Sequence, residues 1–302
     1  MKDHISVCVC TLRRNALLER LLRNLRFQET DGLFDLSVVV VDNAVEGPAR
    51  ETVARLKDEL SLDLTYGIEP VLMIAAARNH ALSLAKGNFI GIIDDDEFPP
   101  PLWLLTMYHA IRTFGVDGAL GPVIPYFEQR PPSWLVKSHL CERPIIRTGT
   151  LLSWNETRTG NVLLKRRVFD EHRLLFDVKY KTSGSDKEFF REAMDLGYRF
   201  VAVEGAPVYE VVPPERQTRK YYLRRAMLQA SNERRYRAPL LRGVSRVLAP
   251  MKAFAGLAIY ALFLPFSLIV GRHVTIICLE KCAYQLSWLI SMMGIDLAKK
   301  RV

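Results

Sequence analysis

An apolar segment that ends in consecutive acidic residues strongly limits the folds and functions open to this chain. Residues 89–93 (FIGII) form an uninterrupted apolar run, and Asp94, Asp95, Asp96 and Glu97 follow it directly. Such a run is typical of a buried strand, and carboxylates packed together at its end repel and raise one another's pKa values. A hard divalent cation would relieve that repulsion, because Mg²⁺ and Mn²⁺ prefer oxygen ligands. The cluster therefore favours metal-assisted handling of a phosphorylated substrate over the alternative, a solvated acidic turn.

Apolar periodicity predicts strands that alternate with helices. The strands are expected at residues 5–10, 36–41, 62–66 and 89–93, and the helices at about 15–25, 48–60, 75–86 and 102–113. We expect Asn15 to cap the first helix and Gly87 to end the third. This order predicts an α/β fold, a mainly parallel sheet flanked by helices on both faces. No GxGxxG follows the first strand, which argues against a dinucleotide-binding dehydrogenase.

Beyond Gly121 the pattern is less regular. A short strand is predicted at residues 162–164, a helix from residue 185 to just before Gly197, and a strand at residues 198–203. Ser185 and Glu188 fit a capping box that would open this helix.

Polar or acidic residues stand where three of the predicted strands end. These residues are Thr11, Asp42 and the group 94–96. Ligands of parallel α/β sheets bind at the carboxyl ends of the strands. The sequence therefore predicts one binding site at this edge of the sheet.

The cysteines and the start of the chain indicate a reduced compartment. Cys8 and Cys10 lie on one face of the first predicted strand and are expected in the core. The count of 5 cysteines is odd and none forms a CxxC pair, so neither a disulfide framework nor a thiolate metal site is indicated. Met1 leads almost directly into a strand, so no signal peptide is expected.

The C-terminal part of the chain is both basic and apolar. Residues 213–302 contain 16 Lys/Arg and 4 Asp/Glu, a balance of +12, whereas the whole chain has a formal charge of +9. Two uncharged apolar runs, residues 253–271 and 282–295, are interleaved with these cations. That pattern argues against nucleic-acid binding, which would use stacking aromatics, and indicates an anionic membrane surface. We predict a helical hairpin lying in or dipping into one leaflet, with both ends cytoplasmic. A hairpin of two spanning helices and a soluble helical pair are the alternatives.

Several short segments, taken in order, resemble glycosyltransferase family 2, whose members are inverting enzymes of the GT-A fold. They are residues 7–14 (VCVCTLRR), 39–43 (VVVDN), 74–79 (IAAARN), 93–97 (IDDDE), 159–161 (TGN) and 185–186 (SD). Within the family the chain is similar to bacterial sugar transferases of the succinoglycan-glucosyltransferase type, which build exopolysaccharide repeat units. The resemblance implies a GT-A, Rossmann-like domain at residues 1–225. A basic, apolar, membrane-associating helical tail is then expected at residues 226–302.

The resemblance also implies roles for individual residues. The implied donor-binding residues are Thr11, Arg13, Asp42, Arg78, Asp94 and Asp95. Asp96 is expected to bind the metal, Mg²⁺ or Mn²⁺, and Asp186 matches the family's catalytic base. Asn161, Ser185 and Arg216 are expected near the acceptor or the diphosphate.

A physical argument for Asp186 stands beside the resemblance. Inverting transfer needs a carboxylate that takes the proton of the acceptor hydroxyl, and a helix N-terminus favours the ionised form of such a group. The alternative is that Asp186 only helps to cap its helix.

The implied activity is transfer of a hexosyl group from a nucleotide-diphosphate sugar, by the family's example a UDP-sugar. A lipid-linked saccharide or polysaccharide would accept it in cell-surface glycan synthesis, at the cytoplasmic face of the inner membrane. Two departures from the family are Ser185 in place of the usual Glu, and Tyr209 and Glu210 where many relatives carry a metal-site His. They leave an alternative interpretation, in which the chain is a degenerate transferase that holds nucleotide sugar or glycan without turnover. A nucleotidyltransferase is a further alternative, although residues 11–14 (TLRR) do not form its Gly-rich, Lys-bearing loop.

Overall fold

The computed structural model describes residues 2–179, 184–237 and 243–295. Contacts divide the chain into two units. The first consists of Met1–Tyr126 and Arg143–Val211, and the second of Phe127–Glu142 and Val212–Val302. The domain boundary predicted after residue 225 lies within a helix of the second unit, and the division into a transferase domain and a tail stays a prediction.

Among the described residues, the first unit contains a large sheet and a small one. The strands are β1 (Asp3–Thr11), β2 (Phe34–Asp42), β3 (Leu64–Ile68), β4 (Phe89–Asp94), β5 (Glu97–Phe98), β6 (Gly118–Leu120), β7 (Val123–Tyr126), β8 (Val162–Lys165), β9 (Phe200–Ala202) and β10 (Val208–Val211). The large sheet has the order β3-β2-β1-β4-β8-β6-β9, and the small one β5-β10-β7. In the large sheet β8 runs antiparallel to β4 and β6, and the other neighbouring strands are parallel. The predicted α/β fold with a mainly parallel sheet is confirmed.

Helices flank the large sheet and make up most of the second unit. The helices are α1 (Asn15–Leu25), α2 (Arg50–Leu60), α3 (Ile74–Leu84), α4 (Trp103–Phe114), α5 (Ser133–Ser138), α6 (Arg167–Asp170), α7 (Ser185–Asp195), α8 (Arg219–Arg237), α9 (Val244–Val270) and α10 (Arg272–Met292). Of these, α5, α8, α9 and α10 belong to the second unit. The predicted C-terminal apolar helical pair is confirmed as α9 and α10.

The large sheet is buried on both faces, which explains why its strands are apolar without alternation. Val7 and Val9 point into a core cluster that contains the leucines of α1. Cys8, between them in sequence, points into the opposite cluster with α3 and α7, because successive side chains of a strand face opposite sides. Cys8 is buried and Cys10 half-buried, and burial raises the pKa of both thiols.

Two predicted helix caps are wrong. Asn15 is the first residue of α1 rather than its cap, and its Nδ2 donates a hydrogen bond of 2.8 Å to the carbonyl of Pro48. The cap of α7 is Gly184, with a φ of 100°, and Ser185 is the buried first residue of the helix. At α1 the bond to Pro48 is a long-range contact, which sequence spacing does not reveal.

Gly87 also differs in its role from the prediction. Helix α3 already ends at Leu84, so Gly87 does not end it. A Cβ at Gly87 would lie 2.4 Å from the carbonyl oxygen of His4. Glycine is needed there because the backbone passes close to β1.

Candidate functional site

The carboxyl ends of β1, β2 and β4 bring the predicted polar residues to one edge of the large sheet. Thr11 stands opposite Asp42 across the β1–β2 pair, and Cys10 stands opposite Asp94 across the β1–β4 pair. The acid stretch therefore begins beside Thr11 and in line with Asp42. This placement follows from the parallel register, in which neighbouring strands end at the same edge.

Charge-assisted hydrogen bonds hold the acid stretch against β1 and α1. The Thr11 hydroxyl donates to Asp95 Oδ2 at 2.8 Å. The guanidinium of Arg14 donates from one nitrogen to Asp95 Oδ1 at 3.0 Å and to Asp96 Oδ2 at 3.1 Å. Both carboxylate oxygens of Asp95 thus accept bonds from protein groups. Asp94, whose side chain is 43% exposed, is the acid of this stretch most open to solvent. Arg78 donates to Asp94 Oδ1 at 3.3 Å.

Burial and neighbouring carboxylates raise the pKa values of three acids in this cluster. The pKa of Asp96 rises from 3.8 to about 6, because the side chain is buried and because Asp94 and Glu210 lie near it. The pKa of Glu97 rises well above its ordinary range, first through burial and then through Asp94. Burial also raises the pKa of Asp95, although Arg14 opposes the shift. Arg14 thus offsets only part of the repulsion, and a site of this kind favours a bound cation.

Glu97 lies at the centre of the crowding. It stands opposite Glu210 across the β5–β10 pair. Its Oε2 accepts a hydrogen bond of 3.2 Å from the backbone N–H of Asp94. A Cβ at Gly160 would lie 2.7 Å from Glu97 Oε1 and 3.3 Å from Asp94 Oδ2, so the glycine of the TGN segment makes room for these carboxylates.

The neighbouring arginines of the TLRR segment differ in placement. Arg13, the residue selected from the sequence, has a φ of 55° and forms an exposed ion pair of 2.9 Å with Glu46. Arg14 contacts the acids instead. Sequence spacing alone does not distinguish Arg14 from Arg13. Arg14 lies directly before α1, where a side chain can turn back to the strand ends.

Two predicted binding residues use their polar atoms within the protein. Asp42 is fully buried, and its oxygens accept hydrogen bonds from the backbone N–H groups of Ala44 and Ala49 and from the Tyr66 hydroxyl. Asp42 thereby orders the segment after β2.

Asn161 is also fully buried. It accepts a bond from Trp103 Nε1 at 2.7 Å and donates to the carbonyls of Pro122 and Ala206, both at 2.9 Å. Its amide therefore links α4 with the segments that follow β6 and β9.

The stretch 208–211 supplies a carboxylate where relatives are expected to have a histidine. Glu210 faces the acid cluster and accepts a hydrogen bond of 3.1 Å from Arg143. The neighbouring Tyr209 ring packs on Phe98, with the ring centroids 5.5 Å apart. Glu210, rather than Tyr209, is therefore the side chain of this stretch that acts on Asp96 and Glu97 electrostatically.

Asp186 lies in the first turn of α7, and Ser185 before it is buried. Arg158, which sequence reasoning did not single out, connects this turn electrostatically with the acid cluster. Burial lowers the pKa of Arg158 to about 10, Arg143 adds to this, and the carboxylates of Glu97, Glu210 and Asp186 oppose it. Asp186 therefore shares a neighbourhood with Glu97 of the cluster and with Glu210.

Arg158 also lines an open cleft of about 310 Å³ in the first unit. Leu120, Pro122, Ile146 and Leu152 give the cleft apolar walls. Arg216, predicted near the acceptor or the diphosphate, lies in a short 3₁₀ turn of the second unit, Pro214–Gln217.

Within residues 2–179, 184–237 and 243–295, no group of three or more His, Cys, Asp or Glu side chains is arranged to hold a metal by itself. Mg²⁺ is commonly bound through one or two carboxylates together with substrate phosphates. Asp94, which is the acid most open to solvent, and the buried Asp96 near it match that mode of binding.

The sequence profile of glycosyl transferase family 2 matches residues 6–173. The chain is also 32% identical over 228 residues to the succinoglycan biosynthesis protein ExoM of Rhizobium meliloti (strain 1021), covering 74% of this chain and 71% of that protein. The chain belongs to glycosyl transferase family 2. The chondroitin synthase of Escherichia coli is 26% identical to this chain over 247 residues. That match covers 71% of this chain and only 36% of the synthase.

Solved structures confirm the GT-A fold of this family 2 chain. The mannosyltransferase PcManGT from Pyrobaculum calidifontis, in complex with GDP-Man and Mn²⁺, superposes with a TM-score of 0.62 at 20% identity. The match covers 100% of this chain and 89% of that one. S. aureus TarS 1-349 in complex with UDP-GlcNAc superposes with a TM-score of 0.56 at 16% identity, covering 97% and 92% of the two chains.

Proposed function

We propose that the chain is a metal-dependent, inverting hexosyltransferase. It moves a sugar from a nucleoside-diphosphate donor, a UDP-sugar, to a lipid-linked saccharide or a growing polysaccharide in cell-surface glycan synthesis. The proposal rests mainly on the neighbourhood shared by the acid cluster and Asp186, which interact electrostatically with the same half-buried Arg158. Membership of glycosyl transferase family 2 supplies the reaction class.

The similar proteins support the finer parts of the proposal. TarS has been solved with UDP-GlcNAc, and PcManGT with GDP-Man and Mn²⁺, which favours a nucleotide sugar and a divalent cation. The names of the succinoglycan protein and the chondroitin synthase favour a polysaccharide product.

In the proposed site, Asp96 would hold Mg²⁺ or Mn²⁺ with Asp94 beside it, next to the donor diphosphate. The cation supplies Lewis-acid stabilisation of the charge that develops on the leaving diphosphate. The fit rests on the raised pKa of Asp96, which burial, Asp94 and Glu210 cause and which a cation would reverse. Thr11 and Arg14 hold Asp95, and Arg78 holds Asp94, so these contacts orient the acids before the donor arrives.

Asp186 is the proposed base. Its carboxylate takes the proton of the acceptor hydroxyl while that oxygen attacks the anomeric carbon from the side opposite the diphosphate, so the configuration inverts. The first turn of a helix favours an ionised carboxylate, because its backbone N–H groups lack helical partners and the helix dipole is positive there. Arg158 adds a cation to this neighbourhood. Residues 180–183, directly before α7, lie outside the described residues.

The proposed location is the cytoplasmic face of the inner membrane. We propose that residues 1–225 form the transferase domain and residues 226–302 the membrane-associating tail. In the described part of the chain one helical stretch, Val247–Val270, is long and apolar enough to cross a membrane. The excess of 16 Lys/Arg over 4 Asp/Glu in residues 213–302 suits anionic headgroups, and attachment would bring the enzyme to a lipid-linked acceptor.

The proposal is tested by screening UDP- and GDP-sugars against the purified full chain with Mg²⁺ or Mn²⁺. Each reaction runs with and without a membrane lipid extract, and nucleoside diphosphate release is measured. We expect release that needs both the cation and the extract, with an inverted anomeric configuration in the NMR spectrum of the product. Donor binding without release in every combination would favour the degenerate binding protein. Equal release in excess EDTA would contradict the metal dependence.

A further inference from the structure

Helices α9 and α10 differ in how much of their surface the protein covers. On α9 the covered positions form a narrow stripe at three- and four-residue intervals, which includes Ala253, Tyr260 and Ser267. Several large apolar side chains outside this stripe are between 60% and 86% exposed; they include Phe254, Ile259, Leu262, Phe266, Leu268 and Ile269. Most of the circumference of α9 is therefore apolar and uncovered by the described residues.

Helix α10, by contrast, is covered on several sides. It packs against α5, α8 and α9, and its exposed residues are Arg272, Lys281, Leu286 and Met292. The pairing with α9 is antiparallel, because Gly256 meets Gln285 while Ser267 accepts a hydrogen bond of 3.0 Å from Thr275. Helix α10 thus has protein neighbours on several sides, whereas most sides of α9 have none among the described residues.

Polar and charged groups fasten α10 to α8. The Ser287 hydroxyl donates to the carbonyl of Met227 at 2.6 Å. Tyr284 donates to the carboxylate of Glu233, and the guanidinium of Arg234 donates to the carbonyl of Ser291. If α9 crossed the bilayer, its antiparallel partner would cross beside it and would carry Glu233 and Arg234 towards the hydrocarbon, which is strongly unfavourable.

We infer that α9 alone enters the membrane and lies along the plane of one leaflet, while α10 stays on the protein side. The inference rests on the membrane attachment proposed above. It differs from the predicted hairpin in that a single helix, α9, is the inserted element. The exposed apolar residues run from Val247 to Val270, the whole length of the apolar stretch, and not only at the turn near Gly271. A hairpin that entered tip first would leave the start of this stretch in water and would insert Arg272.

Two exposed cations on and beside α9 point to an anionic leaflet as the occupant of this face. Lys252 is exposed in the third turn of α9, and Arg272 is exposed just beyond its end. Helices that lie in the membrane interface combine an apolar face with Lys and Arg at headgroup level. A second copy of the chain would need matching acids, but residues 213–302 contain 4 Asp/Glu against 16 Lys/Arg.

Depth measurements on the full chain test the inference. An environment-sensitive fluorescent amino acid is placed at Leu248, at Ile269 or, as a control outside the membrane, at Arg224 of α8. The protein is bound to phosphatidylglycerol–phosphatidylethanolamine vesicles that carry bromine at defined lipid depths. The first two positions are 21 residues apart, or about 32 Å along the helix axis. We expect the same shallow depth, within about 5–10 Å of the headgroup boundary, at Leu248 and Ile269, and no quenching at Arg224.

Every other outcome overturns the inference in a recognisable way. A large difference in depth between the two α9 positions would show a spanning or dipping helix and would leave membrane attachment intact. No binding to the vesicles, with sugar transfer retained, would reject both the inference and membrane attachment but not the transferase.

A pair of variants separates lipid from a second copy. Leu262→Glu on α9 is expected to lower the vesicle-bound fraction at least tenfold, whereas Leu33→Glu, at an exposed leucine of the first unit, leaves it unchanged. If light scattering instead shows a dimer that Leu262→Glu converts to monomers, the face joins two chains and the inference fails.

Discussion

Replacing Asp96 with asparagine should stabilise the metal-free chain, and should do so more strongly as the pH rises. The pKa of Asp96 is raised from 3.8 to about 6 in the folded chain. A carboxyl whose pKa is raised on folding supports the fold while it is protonated, below about pH 4, and this support is lost as the pH rises through about 6. The difference between the two pKa values corresponds to about 3 kcal/mol of the free energy of unfolding. Roughly half of this amount is lost between pH 5 and 7.5.

Urea titrations of wild type and Asp96→Asn in EDTA, at pH 5 and 7.5, measure this effect. We expect the stability advantage of the variant to grow by about 1.5 kcal/mol between the two pH values. Asp58→Asn, on the exposed surface of α2, is the matched control and should show no such growth. An advantage of Asp96→Asn that is equal at both pH values would refute the argument that burial and neighbouring acids disfavour its charge.

Three further expectations concern the reaction and its site. Asp186→Asn should lower the transfer rate at least about 100-fold with donor binding retained. Its control, Asp195→Asn at the other end of α7, should leave the rate unchanged. Kinetics with a radiolabelled donor measure both rates, and equal rates in the two variants would rule out Asp186 as the base. Gly160→Ala should lower the free energy of unfolding by about 1–3 kcal/mol and weaken donor binding, because the new methyl group would meet a carboxylate oxygen at 2.7 Å. Gly205→Ala, where the nearest atom is a methyl carbon 3.7 Å away, is its control in the same urea titration, and equal losses would count against crowding at the cluster. Arg14→Gln should move the pH midpoint of cation-dependent donor binding upwards, because this guanidinium lowers the pKa of the acids it contacts, and a midpoint that stays or falls would contradict that role.

The sheet and its edge were predictable because they depend on short-range pattern. Continuous apolar runs such as residues 89–93 identify strands that are buried on both faces. The parallel order then fixes which ends share an edge, so the alignment of Thr11, Asp42 and Asp94 follows from the sequence. Family resemblance, and not spacing, directed attention to Asp186.

Features that depend on long-range contacts were not predictable in this way. Asn15 looked like a helix cap, but it bonds to the carbonyl of Pro48 across the fold. Asn161 stays a predicted residue of the acceptor or diphosphate region, and the sequence did not reveal that its amide bonds to three groups distant along the chain. The choice between Arg13 and Arg14 depends on the backbone turn before α1, which sequence spacing does not determine.

The covering of α10 was also hidden in the sequence. Its apolar run is shorter than that of α9, and the polar bonds from Ser287 and Tyr284 to α8, with the packing on α5, set the two helices apart. Two neighbouring helices with apolar runs can therefore differ in how much of their surface the protein covers, and long-range packing decides this.

Binding of Mn²⁺ in the presence of UDP tests most directly whether the acids at the carboxyl edge of the sheet hold the cation and the donor diphosphate. Electron paramagnetic resonance of free Mn²⁺ reports how much of the ion the protein retains. We expect wild type and Asp58→Asn to deplete the free signal when UDP is present, and Asp96→Asn to leave it at the level of buffer with UDP alone. Retention of Mn²⁺ by Asp96→Asn equal to that of wild type would contradict the placement of the cation at this edge.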